Sequence, residues 1–88
     1  MVKFRIRNMG PPRNIVGPVI RQLRDQQGLT QAMLVAKLNL GGWDISRETF
    51  AKIETQIRWV ADFEIVLLAN ACEVEPAELL KRAIRKSR

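Results

Sequence analysis

The sequence predicts an all-α fold, a compact set of five short helices behind a short extended N-terminal arm. Three observations predict it. From Ile15 onward the apolar residues recur at helical spacing. Glycine and proline cut that region into short pieces, at Gly28, at Gly41-Gly42 and at Pro76. Strand-like alternation is found only at the start, in Val2-Lys3-Phe4-Arg5-Ile6-Arg7.

Gly10-Pro11-Pro12 ends that alternating arm. Val16, Val19, Ile20 and Leu23 then stand at i, i+3, i+4 and i+7, one face of a first helix over about 15–27. Gly28 suits the position just past its end. Thr30 can cap a second helix over about 31–39, whose apolar face is Leu34, Val35 and Leu38. Ala32 and Ala36 favour helix there. The link from Gly28 to Gln31 is so short that these two helices must be packed neighbours.

Gly41-Gly42 breaks the second helix, and Ser46 can cap a third over about 47–55. Phe50, Ile53 and Ile57 are expected to face inward, with Arg47, Glu48, Lys52 and Gln56 outward. A fourth helix over about 62–71 carries the stripe Ile65, Leu68, Ala69 and Cys72. Pro76 suits the first turn of a fifth over about 76–85, with Leu79 and Leu80 inward. The expected organisation is a basic arm (1–14), one helical domain (15–80) and a basic end (81–88).

Composition narrows the chemistry. The 88 residues allow one domain with a small core. There is no histidine and one cysteine, Cys72. An internal disulfide, the usual zinc ligand sets and the Ser–His and Cys–His nucleophile pairs are therefore out of reach. No catalytic, cofactor-binding or metal-ligating residue is expected, and the chain is read as a non-enzyme. No stretch approaches the ~20 apolar residues of a membrane span, and no apolar run follows the basic start as in a secretory signal. A soluble protein of a reducing compartment is expected, with Cys72 a buried structural thiol.

The net charge is +6, and it is unevenly placed. Residues 1–14 carry +4, residues 15–77 carry −2 and residues 78–88 carry +4. That sign fits a polyanion partner, yet basic ends are often only solvated. Charge alone leaves nucleic-acid binding and a solvated surface equally open.

The order of motifs goes further. Gln27-Gly28-Leu29-Thr30-Gln31-Ala32-Met33-Leu34-Val35-Ala36 resembles the junction of the first two helices in phage-repressor-like helix-turn-helix domains. This is the lambda-repressor or Cro/CI type, also called the XRE family. Ile45-Ser46-Arg47-Glu48-Thr49-Phe50-Ala51-Lys52-Ile53-Glu54 resembles the recognition helix of that family with its terminal Ile-Glu. Leu68-Ala69-Asn70-Ala71-Cys72-Glu73-Val74, followed by Glu75-Pro76-Ala77-Glu78-Leu79-Leu80, resembles its last two helices. The resemblance covers about 15–80.

It implies a sequence-specific transcriptional regulator, acting as a repressor on double-stranded DNA, with the third helix in the major groove. Arg47, Glu48 and Lys52 match its base-reading positions. An arginine can take guanine O6 and N7 together, and a glutamate can accept from cytosine N4. Thr30, Gln31, Ser46 and Arg58 match its phosphate-contacting positions, the first three near helix N-termini whose free N–H groups attract anions. Arg24 and Glu54 match a structural ion pair tying the first helix to the third. The resemblance also implies a homodimer, at least on DNA, and a cytoplasmic protein of prokaryotic or phage origin. A second reading keeps the same fold as an antitoxin-like interaction module whose partner is a protein such as a toxin.

Two features depart from the family pattern. Leu40-Gly41-Gly42-Trp43-Asp44 looks like an insertion in a turn usually ~3–4 residues long. Trp43 has two readings, a plug at the edge of the core or an indole donor to a phosphate. At the start of the fourth helix Ala61 replaces the usual Thr or Ser, so only the Glu64 half of a capping box remains. Phe63, Val66 and Leu67 form a further apolar group, read either as core or as a patch joining two copies.

Overall fold

The computed structural model describes residues 11–87; the alternating segment 2–7 of the arm lies outside them. Five helices follow in order, α1 (Gly17–Gln26), α2 (Gln31–Leu40), α3 (Arg47–Glu54), α4 (Asp62–Ala71) and α5 (Pro76–Lys86). α1 packs on α3 and α5, α2 on α3 and α4, and α4 on α5. The all-α expectation holds, and among the described residues there is no strand.

The helical periodicity translates directly into burial. Val16, Val19, Ile20 and Leu23 of the first stripe join Leu34, Leu38, Phe50, Ile53, Leu68, Cys72 and Leu79 in one core. Burying a Val, Leu, Ile or Phe side chain contributes ~1.5–3 kcal/mol, so this shared core outweighs the propensity of any single short helix.

The helix ends share one device. α1 to α4 all close with paired bonds, from the second and third residues beyond the helix back to carbonyls of its last turn. Gly28 N–H bonds Asp25 O (3.1 Å) and Leu29 N–H bonds Arg24 O (3.0 Å). The same pattern places Gly42 and Trp43 after α2, Gln56 and Ile57 after α3, and Glu73 and Val74 after α4. It requires a left-handed residue, here Gly28 (φ 70°), Gly42 (φ 99°), Gln56 (φ 67°) and Glu73 (φ 60°). The residue after each is apolar, and Leu29, Trp43 and Val74 pack against the core.

That pattern reinterprets the apparent insertion. Leu40 is the last residue of α2, and Gly41-Gly42-Trp43 is its closing motif. It also corrects Ile57. α3 ends at Glu54 and the chain reverses at Gln56, so Ile57 is carried outward and is 47% exposed.

The start of α1 is tied to the end of α3. Asn14 Oδ1 accepts from Gly17 N–H (2.8 Å), while its Nδ2 donates to Ile53 O (3.1 Å) and Arg58 O (2.9 Å). Gln56 Nε2 donates back to Asn14 O (2.9 Å). The last residues of the arm are thus anchored, and the helix begins at Gly17 rather than at Ile15. At the other end Lys81 to Lys86 of the basic end are the last turns of α5.

Candidate nucleic-acid interface

α2 and α3 pack together, and each starts with a side-chain cap. Thr30 Oγ1 accepts from Met33 N–H (3.1 Å). Ser46 Oγ accepts from Thr49 N–H (3.1 Å) and donates to Thr49 Oγ1 (3.0 Å). Both hydroxyls are occupied in capping, and both residues are exposed at helix N-termini. Such ends present unpaired N–H groups and a partial positive charge to an anion.

Arg47 opens α3, with Glu48 and Lys52 beyond it, and all three are exposed. Glu48 and Lys52 are i, i+4 and share a side of the helix. Among the described residues none of the three has a side-chain ion-pair partner, and Phe50 and Ile53 behind them are fully buried. The outer side of α3 is thus polar and unspent, while its inner side is fixed in the core.

Behind α3 lies a buried polar knot. Arg24 Nε donates to Glu54 Oε2 (2.8 Å) and Arg24 Nη2 to Glu54 Oε1 (3.2 Å). Arg24 Nη1 donates to Leu29 O (2.9 Å), and Gln31 Nε2 donates to Glu54 Oε1 (2.9 Å). The hydrogen bond to Glu54 holds the Arg24 guanidinium pKa above its usual value. Gln31, matched to a phosphate-contacting position, has its amide N–H turned onto Glu54, the last residue of α3. The chain reason is its place at the first position of α2, facing the end of α3.

Arg58, matched to a phosphate-contacting position, is paired within the chain. Its fork closes on Glu64, Nη1 to Oε1 at 3.0 Å and Nη2 to Oε2 at 3.2 Å, and Nη1 donates to Trp59 O (2.9 Å). The Arg58 guanidinium holds the Glu64 carboxyl below the usual carboxylate range, helped by the Ala61 N–H at 3.0 Å. Arg58 also lies over the Trp43 ring, 5.7 Å from its centroid. Trp43 is half-buried against the core, as a plug at its edge.

Neither the Arg58–Glu64 pair nor the Gln31–Glu54 bond was expected from the sequence. The first spans a loop, where no helical spacing brings i and i+6 together. Asn14, which fastens the arm, also carries no periodic signal. Burial raises the Cys72 thiol to about 11, as suits a structural cysteine. Among the described residues no group of His, Cys, Asp or Glu is clustered to hold a metal ion, and no helix is long and apolar enough to cross a membrane.

Comparison with known proteins gives this surface its context. A helix-turn-helix family model matches residues 20–79. No curated protein matches the chain. Among solved structures it is similar to the restriction-modification controller protein C.AhdI from Aeromonas hydrophila, at 30% identity and a TM-score of 0.64. That match covers 76% of this chain and 94% of that one. It is also similar in fold to a single-substitution mutant of the restriction-modification controller protein C.Esp1396I, at 24% identity and a TM-score of 0.70, covering 84% of this chain and 87% of that one. Since the family match takes in α2, α3 and both capped N-termini, the chain belongs to the XRE family of helix-turn-helix proteins and is a DNA-binding transcription regulator.

Proposed function

We propose that the protein represses transcription by laying α3 in the major groove of a specific operator. The observation that carries this is the outer side of α3, where exposed Arg47, Glu48 and Lys52 stand beside the Ser46 cap with no ion-pair partner among the described residues. Arg47 takes guanine O6 and N7, Glu48 accepts from cytosine N4, and Lys52 reaches a base edge one turn further on. Thr30, Gln31 and Ser46 meet phosphates through the backbone N–H groups at their helix starts, which fixes the register without reading sequence. The likeness to controller proteins supports a restriction-modification operon as the regulated locus. A reader of this kind works where prokaryotic or phage DNA lies, in the cytoplasm.

The operator is read by a homodimer. Phe63 (64% exposed) and Val66 (45% exposed) stand i, i+3 on α4, with half-buried Leu67 at i+4 from Phe63, an apolar group on one side of the helix that suits a second copy. Two copies joined there would match half-sites about one helical turn apart. Arg47→Ala with Lys52→Ala is expected to abolish operator binding and leave the dimer mass by light scattering unchanged. Loss of a protein partner rather than of DNA in that variant would favour the antitoxin-like reading.

A further inference from the structure

Trp43, Arg58 and Glu64 have no part in the function proposed above, yet they touch the connection that delivers the reading helix. Trp43 closes α2 through its N–H to Leu38 O (3.0 Å). Its carbonyl accepts from Ile45 N–H (2.9 Å) and from Asn39 Nδ2 (2.8 Å). Ile45 is buried, and the next residue, Ser46, caps α3. The backbone at Trp43 therefore passes its position directly to the start of α3.

The Trp43 side chain is held from the other side of the chain. The Arg58 guanidinium lies within the ~6 Å at which a cation is attracted to an aromatic face. Both arms of its fork are in turn fixed by Glu64, a buried carboxylate that also accepts from the Ala61 N–H at the start of α4. A planar fork that is stacked and paired bidentately cannot be replaced by a lysine ammonium.

We propose that Arg58 is a positioning residue for DNA recognition, which through Trp43 fixes the α2–α3 connection and so the angle at which α3 offers Arg47 and Glu48. It acts without touching a base or a phosphate. This rests on α3 being the groove-reading helix.

The test compares the full-length chain with Arg58→Lys, Glu64→Gln and Trp43→Phe. Two quantities are measured, the amide chemical shifts of residues 43–48 in free protein, and affinity for the selected operator and for a scrambled duplex at one salt concentration. Arg58→Lys keeps the positive charge, so a phosphate contact would survive it. The clamp predicts moved amide signals at 44–48 and about a tenfold loss on the operator, the scale of one mispresented base contact, with scrambled-duplex affinity within about twofold. Glu64→Gln should lose operator affinity in the same way, and Trp43→Phe, which keeps an aromatic face, should stay near wild type. Equal losses on both duplexes, a gain in Glu64→Gln, or unmoved amides at 44–48 would overturn the proposal. If the wild type selects no motif, the groove reading fails and the DNA role of Arg58 fails with it. Amide shifts at 44–48 would then separate that failure from failure of the clamp.

Discussion

Arg24 and Glu54 form a two-bond pair, Nε to Oε2 at 2.8 Å and Nη2 to Oε1 at 3.2 Å, with the Glu54 residue only 6% exposed. It ties the last turn of α1 to the end of α3. Leu29 O and the Gln31 amide complete the hydrogen bonding of both groups. Removing one partner of a buried pair leaves the other charge without its counter-charge, at a cost of ~3–5 kcal/mol. Arg24→Ala is therefore expected to lower unfolding free energy by about 3 kcal/mol in urea denaturation. A loss below about 1 kcal/mol would show that water reaches Glu54 readily.

Gly17 is required by its neighbours rather than by its φ. A Cβ there would drive into the backbone carbonyl oxygen of Ile53, which is itself bonded to Asn14. Overpacking of this kind costs ~1–3 kcal/mol. Gly17→Ala is expected to lower the melting temperature by about 10 °C, at the ~4–8 °C per kcal/mol of a domain this small. An unchanged melt would mean that α1 can shift away from α3 without loss.

Ala61 begins α4 with extended backbone (φ −75°, ψ 158°) and no side-chain oxygen. Glu64 supplies the only side-chain half of a capping box, to the Ala61 N–H. Ala61→Thr adds the missing acceptor and should raise stability by ~1 kcal/mol. Calorimetry checks it, and no gain would mean that the N–H groups of this first turn are already satisfied by solvent.

Glu64 links stability to pH. Arg58 depresses its pKa in the folded protein below the ~4.3 of an unfolded glutamate. A depressed carboxylate stabilises fully above the unfolded pKa, and that contribution is lost as pH falls through the folded one. Stability should thus be level from neutral pH to about 5 and fall below about 4, with a shallower fall in Glu64→Gln. Glu78, held low by Arg82, acts in the same direction from the solvent-exposed surface, where its share is small. Identical pH profiles for wild type and Glu64→Gln would contradict this assignment.

The helices were legible because burial in this fold follows the 3.6-residue period. The stripe Val16, Val19, Ile20 and Leu23 is buried throughout, and Thr30 and Ser46 cap the helices whose starts they signal. Of the four closing turns, Gly28 signalled the first; Gly42 supplies the left-handed residue of the second, but the Gly41-Gly42 pair reads only as a helix break ahead of an insertion. The turns at Gln56 and Glu73 were not legible, because a non-glycine residue there carries no local signal. That is why Ile57 was expected inside. In the candidate site, the exposed positions of α3 followed from periodicity, whereas the contacts of Arg58 and Gln31 depend on tertiary neighbours that no spacing announces.

The most direct test of the account is selection from a random duplex library at near-physiological salt. The account predicts a palindrome with half-sites about 10 bp apart. Arg47→Ala, Glu48→Ala and Lys52→Ala should each relax preference at particular positions, by ~1–3 kcal/mol per base pair. Salt-sensitive binding with no enriched motif would contradict it, because the basic ends would then be holding phosphates and α3 would be reading nothing.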